Sequence, residues 1–273
     1  MHEKRNIFVS GSTRGLGLAF TKRLAARGHN VFMTDISEKA SAVYGEANSS
    51  DEIIKGLSEY GGEYHFSACD LLNDHDAKKT VHLAWQTFGY IDVVIANAGG
   101  DIQGNDSDAA GGKPAVNNSQ ISVKQHKQIF ERNYQTCWNT VTPFVPLMSD
   151  RGFGKIITIS SVNASFGMPT ETAYSTAKAA VIQLTRAIAS ECRENGVAAN
   201  CLMLGPTRTG RFKSTLKGRS SHDLEAFNST GRLTRVAEPD DAANVMEFLV
   251  EEKSDYISGQ IIRVDGGRFP QPV

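Results

Sequence analysis

The sequence lacks any pair of cysteines at redox or metal-ligand spacing. Its four, Cys69, Cys137, Cys192 and Cys201, form no C-x-x-C, and each sits inside an apolar or helical stretch, which reads as reduced core thiols. The seven histidines are scattered, with no H-x-x-x-H pair and no carboxylate cluster beside them, so no catalytic metal is expected. Net charge is almost absent: 29 Lys and Arg against 30 Asp and Glu leave -1. Both signs are spread along the chain, so there is no electrostatic footprint for nucleic acid or an anionic membrane, and neither is expected as a partner. Long apolar runs are missing too. Met1-His2-Glu3-Lys4-Arg5 leads into an apolar stretch of about four residues, too short for a signal peptide's hydrophobic region or a membrane span. A soluble, cytoplasmic protein is expected.

What remains is a chain of 273 residues, 40% apolar, able to bury a large core and expected to form one domain over residues 1–273. Short β-branched and aromatic runs alternate with segments of helical period. The runs are NIFVS (6–10), NVFMTD (30–35), EYHFSA (63–68), IDVVIA (91–96), KIITIS (155–160), VAANCLM (197–203) and QIIRV (260–264). Between them Ala77, Val81, Ala84, Trp85 and Phe88 mark one amphipathic helix, and Ala242, Val245, Met246 and Leu249 another. Near-continuous apolar strands are those of a parallel sheet buried on both faces. The expected fold is α/β: a doubly wound, seven-stranded parallel sheet with helices on both faces, Rossmann-like. Three stretches break the alternation. Residues 36–62 should hold one or two short helices, residues 100–120 read as a long Gly/Asp/Asn-rich loop insertion, and residues 205–234 as a second long loop of the kind that covers a ligand.

VSGSTRGLGLAF sets Gly11, Gly15 and Gly17 between the first strand and a helix whose apolar side is Leu16, Phe20 and Leu24. Glycines permit a tight turn and the close approach of a pyrophosphate, met by the free N–H groups of the helix N-terminus. The spacing is G-x-x-x-G-x-G, and by itself it fits a plain strand-to-helix turn equally well. Asp35 ends the second strand, where a carboxylate can accept from an adenosine ribose and repel a 2′-phosphate. It could also merely cap the next segment, and the Arg14 guanidinium could pair with a 2′-phosphate. NAD is favoured over NADP.

Gly11, Gly15, Gly17, then CDLL (69–72), NAG (97–99), Ser161, Tyr174, Lys178 and VDGG (264–267) occur in this order. With them the whole chain resembles the short-chain dehydrogenase/reductase family. Ser10 stands where that family often has Thr, and LGPTRT (204–209) where it often has Pro-Gly. The resemblance implies contact of Asp70 with adenine, and a cofactor lined by Asn97, Ala98 and Gly99. In the loop after the sixth strand it implies that Gly205, Pro206, Thr207 and Thr209 hold the nicotinamide carboxamide. The implied cofactor contacts also include Thr13, Arg14 and Leu16 in the turn, Ile36 beside Asp35, Leu71 beside Asp70, and Tyr174 with Lys178. Catalytic roles fall on Asn133, Ser161, Tyr174 and Lys178, and a homotetramer or dimer is implied.

Oxidising a secondary alcohol needs a base for the hydroxyl proton while the hydride leaves carbon. Free tyrosine, with a pKa of about 10, is a poor base, but a nearby ammonium favours the phenolate. At about 100° per residue, Tyr174 and Lys178 lie about 40° apart on a helix and share a face. Val181, Thr185 and Ile188 fall on the same side, so the pair borders the apolar stripe. Ser161, thirteen residues earlier at the end of the fifth strand, can bridge to a substrate oxygen, with Ser160 as the rival serine. By resemblance Asn133 holds a water against the lysine; an interior Asn bonded only to its own helix is the plainer alternative.

The reaction expected is hydride transfer between a nicotinamide cofactor and a small alcohol or carbonyl compound. A non-catalytic dinucleotide sensor would not need all four residues. A sugar-nucleotide epimerase would need more than the roughly 70 residues left after the sixth strand. Within the long stretch from Gly99 to Asn133, residues 100–120, with Lys113, suggest a rim favouring a sugar, polyol or hydroxy acid; the same composition suits a solvated flap that reads nothing. Trp138 and Phe144 are candidates for subunit contacts.

Overall fold

The computed structural model describes residues 3–100, 116–216 and 219–270; most of the 100–120 loop, with Lys113, lies outside them. Seven strands form one parallel sheet: β1 (Asn6–Ser10), β2 (Asn30–Asp35), β3 (Tyr64–Ala68), β4 (Val93–Ala96), β5 (Gly154–Ser161), β6 (Val197–Leu204) and β7 (Ile261–Val264). Their order is β3-β2-β1-β4-β5-β6-β7. The inner strands β1, β4 and β5 are buried along their whole length, as their unbroken apolar runs require, whereas β3 and β7 are partly open because each is an edge.

The helices are α1 (Gly15–Ala26), α2 (Ser50–Leu57), α3 (Asp74–Phe88), α4 (Val123–Phe130), α5 (Thr136–Val141), α6 (Phe144–Arg151), α7 (Thr172–Glu191), α8 (Gly210–Ser214), α9 (Ser221–Asn228) and α10 (Pro239–Val250). Sequence sets their ends. Asn73 caps α3 by accepting from the His75 and Asp76 N–H groups at 3.1 and 3.3 Å. Pro239 opens α10 behind a reciprocal Glu238–Asp241 capping box.

Alternate strand residues feed two cores. Ile7 and Val9 face α1, α2 and α10, with Phe20, Leu24 and Met246, while Phe8 faces the other layer with Val81, Val181 and Ile188. Phe144 belongs to that second core. Its ring lies 5.1 Å from Phe8 and is fully buried, which corrects its reading as a subunit contact; Trp138 is exposed. The chain winds outward in opposite directions from β1 and β4, so the turns after these neighbours diverge and leave a crevice at their carboxyl ends.

Candidate active site

A cavity of about 1120 Å³ opens at this crevice. Its floor is the turn after β1, where Gly11 and Gly15 hold φ of 61° and 53°, which side chains disfavour. The turn is pressed against β4: a Cβ at Gly11 would fall 2.9 Å from Ala98 Cα. Asn97 donates through Nδ2 to Gly11 O at 2.9 Å and Ser10 O at 3.2 Å. Ser10 Oγ in return accepts from the Asn97 and Ala98 N–H groups, each at 3.1 Å. Serine at position 10 therefore suffices, since the hydroxyl makes the tie.

Of the expected cofactor contacts, Gly11, Arg14, Gly15, Leu16, Asp35, Ile36, Asp70, Leu71, Asn97, Ala98, Gly99, Pro206, Thr207 and Thr209 all line this cavity. Thr13 and Gly17 are buried behind its wall. The Thr13 hydroxyl donates to Asp35 Oδ2 at 2.7 Å, and Asp35 Oδ1 accepts from the Ile36 N–H at 2.9 Å. Asp35 thus caps its own turn and still presents a carboxylate to the cavity. Asp70 likewise accepts from the Leu72 N–H at 3.0 Å. Thr209 caps α8 by accepting from the Phe212 N–H at 3.2 Å, and it packs over Gly15 at the phosphate end.

The far end of the cavity gathers the catalytic candidates. Ser161, Tyr174 and Lys178 line it; Asn133 is fully buried beneath. β5 delivers Ser161 at its carboxyl end, where the side chain accepts from the Asn163 N–H at 3.3 Å. Ser160, the rival, also lines the cavity, but its hydroxyl is spent on Lys178 O, to which it donates at 2.8 Å. On α7, Lys178 Nζ lies 5.8 Å from the Tyr174 ring centroid and donates to Ile159 O at 2.9 Å. The ammonium is nearly buried, with Val181, Thr185 and Ile188 below it in the core.

Asn133 sits in a π-helical turn, Glu131–Gln135, between α4 and α5, a local widening that often marks functional sites. Its Nδ2 donates to Ile129 O at 2.8 Å and Gly100 O at 3.1 Å, and its Oδ1 accepts from the Gly100 N–H at 2.8 Å. It binds its own helix and also clamps the chain leaving β4. A Cβ at Gly99 would lie 3.0 Å from Asn133 Oδ1 and 3.4 Å from Lys178 Nζ, so those two groups converge on that glycine.

Other residues that belong to no sequence motif also line the cavity. Glu171 is buried, lines the cavity and accepts from Asn163 Nδ2. Asp223 pairs with Arg268 at 2.8 Å and Arg219 at 3.6 Å near His222. The glycine cradle, the ribose-edge carboxylate and the cavity size fit a dinucleotide. Among the described residues, no three His, Cys, Asp or Glu side chains gather as a metal site would need, and no helix is long and apolar enough to cross a membrane.

The family model described as enoyl-(acyl carrier protein) reductase matches residues 11–268. The 7α-hydroxysteroid dehydrogenase of Bacteroides fragilis is 26% identical over 266 residues, covering 97% of this chain and 94% of the relative. Among solved structures, a 7α-hydroxysteroid dehydrogenase complexed with NADH and 7-oxo glycochenodeoxycholic acid has a TM-score of 0.80 at 23% identity, covering 96% of this chain and 92% of that one. ElxO with NADP bound has a TM-score of 0.82 at 21% identity, covering 98% and 100%. The same fold thus serves either nucleotide in those proteins, and what it shares with this chain is the architecture.

Proposed function

The chain belongs to the short-chain dehydrogenase/reductase family, and from that premise we propose that it transfers a hydride between NAD and a secondary alcohol or its ketone. The observation that carries this reading is the meeting of Ser161, Tyr174 and Lys178 on one wall of a cavity whose other end is the glycine turn. A bound nicotinamide supplies the hydride acceptor or donor. Ser161 holds the substrate oxygen by a hydrogen bond. Tyr174 takes the hydroxyl proton during oxidation and returns it during reduction. The Lys178 charge stabilises the Tyr174 phenolate, and the bond to Ile159 O keeps the ammonium in place. Asn133 is a positioning residue: it fixes the backbone at Gly100, next to the glycine on which Asn133 and Lys178 converge.

Asp35 supports NAD over NADP, since its carboxylate stands on the cavity wall. Asn163, Glu171, His222 and the Asp223–Arg268 pair set polar groups among Val162, Met168, Phe212 and Phe269 at the substrate end, and these polar groups support a small polar substrate such as a sugar, polyol or hydroxy acid. Likeness to a hydroxysteroid dehydrogenase supports the reaction type and leaves the substrate to these side chains. The reading includes one domain, a cytoplasmic location and a homotetrameric or dimeric assembly, with Trp138 offering exposed apolar surface. The test is a screen of NAD and NADP reduction, followed by nicotinamide absorbance, against sugars, polyols, hydroxy acids and hydroxysteroids. Turnover of an alcohol with NAD that disappears in Tyr174→Phe is the expected result. Turnover retained in that variant would overturn the mechanism.

A further inference from the structure

The turn after β1 meets a carboxylate that the glycine pattern does not announce. Glu46 lies between β2 and α2, and its two oxygens accept from the Gly15 N–H at 2.9 and 3.0 Å. Gly15 opens α1, so this N–H is one the helix itself cannot satisfy. The placement is held by its surroundings. Gly45 takes a left-handed φ of 69° immediately before Glu46, and the Glu46 N–H donates to Ser41 O at 3.2 Å. Tyr44, two residues earlier, packs against Gly210, where a Cβ would fall 2.6 Å from Tyr44 Cβ. The segment is thus pinned between the phosphate turn and the start of α8.

Charge gives the position its meaning. Burial raises the protonation range of Glu46, the Gly15 N–H and the charges of Arg14 and Lys22 lower it, and the Asp35 charge raises it. Glu46 is therefore within electrostatic reach of both Arg14 and Asp35. Lys39 lines the cavity with Arg14 and Asp35, so without Glu46 the cations able to pair with a 2′-phosphate outnumber the one carboxylate. Glu46 sets a second carboxylate against them.

We propose that Glu46 is a cofactor-specificity residue: it offsets Arg14 and adds a second carboxylate beside Asp35, disfavouring a 2′-phosphorylated dinucleotide. This rests on the NAD reading above and deepens it. A 2′-phosphate drawn to Arg14 would meet the carboxylate held on the neighbouring Gly15 N–H, and like charges set together raise the free energy of the wrong complex. A carboxylate that merely held its loop would alter stability and leave the choice of nucleotide alone.

The experiment measures NADH and NADPH dissociation constants, by nicotinamide fluorescence, for wild type, Glu46→Gln, Glu46→Asp and the pair Arg14→Gln and Arg14→Gln/Glu46→Gln. Wild type should bind NADH more tightly. Glu46→Gln should shift the ratio toward NADPH by about tenfold, Glu46→Asp should stay near wild type, and the shift should shrink when Arg14 is already neutral. Glu46→Ala, expected to move the ratio the same way, replaces the Gln variant if that fails to fold. A shift below about threefold in an NADH-preferring protein overturns the role of Glu46 and leaves the NAD reading standing. A wild type that prefers NADPH overturns both.

Discussion

Gly17→Ala sets helix propensity against close packing at the phosphate turn, and the two predict opposite signs. Gly17 lies in the first turn of α1, outside the glycines of positive φ, so propensity alone favours alanine by about 1 kcal/mol. Packing opposes it. A Cβ at this position falls 1.8 Å from Gly11 O and 2.7 Å from Asn97 Nδ2, where carbon contacts ordinarily need about 3.5 Å. Neither neighbour can yield freely, because Gly11 O is main chain and Asn97 Nδ2 donates to that same oxygen at 2.9 Å. Overpacking costs about 1–3 kcal/mol, and losing the Asn97 bond adds about 0.5–1.5 kcal/mol. After the propensity gain is subtracted, the variant should lose about 0.5–3.5 kcal/mol, a fall of roughly 2–4 °C in Tm per kcal/mol. Gly11 lines the cavity, so NADH binding should weaken as well. Urea unfolding and an NADH fluorescence titration measure the two effects. Gly56→Ala is the control: its Cβ position in α2 is open, and stability should rise by about 0.5–1 kcal/mol. A Gly17→Ala protein as stable as wild type, with unchanged NADH affinity, would refute the packing argument.

Tyr174→Phe should lower turnover by at least about 10²-fold while NADH still binds, read by initial rates and by titration; the removed group is a proton carrier, not a cofactor anchor. Glu247 is buried on α10; desolvation works to raise its protonation range, but hydrogen bonds and charge from Arg23 and Arg27 of α1 win and hold it low. Glu247→Gln should therefore cost about 1–3 kcal/mol near neutral pH. Because the folded-state value is depressed, that advantage is fully present above the unfolded pKa of about 4.3 and lost as pH falls through the folded value; urea midpoints across this range should converge for the two proteins in acid. Burial pushes the Cys137 thiol up to about 12 and Cys201 to about 11, and Cys69 and Cys192 are buried too. At about pH 8, an aromatic disulfide reagent should leave all four unmodified until urea exposes them; a fast-reacting thiol in the native protein would contradict this.

The fold was legible where structure follows local pattern. Strands such as NIFVS read as buried on both sides because they are, and the α7 stripe of Val181, Thr185 and Ile188 is enough to put Tyr174 and Lys178 at the edge of the core. Position within the sheet was not legible. YHFSA and IIRV look like the other strands, and only the strand order makes them edges. Phe144 reads as available for a partner because the segments around Asn133 and Tyr174 are apolar on more than one side. Its burial against Phe8 accounts for that side chain within the chain's own core.

The site divides along the same line. Tyr174 and Lys178 are linked by one helical turn, which spacing can report. Glu46 meets a main-chain N–H 31 residues away, and a main-chain partner leaves no mark on side-chain sequence. Glu171 falls between these cases. It stands three residues before Tyr174, at the N-terminal boundary of α7, so helical spacing could have put it near the same face. What spacing could not supply is its partner: Asn163 arrives from the end of β5, two residues beyond Ser161, and donates to the Glu171 carboxylate. That bond ties the segment presenting Ser161 to the helix presenting Tyr174, so the distance between serine and tyrosine is fixed by a contact between two residues that neither motif contains.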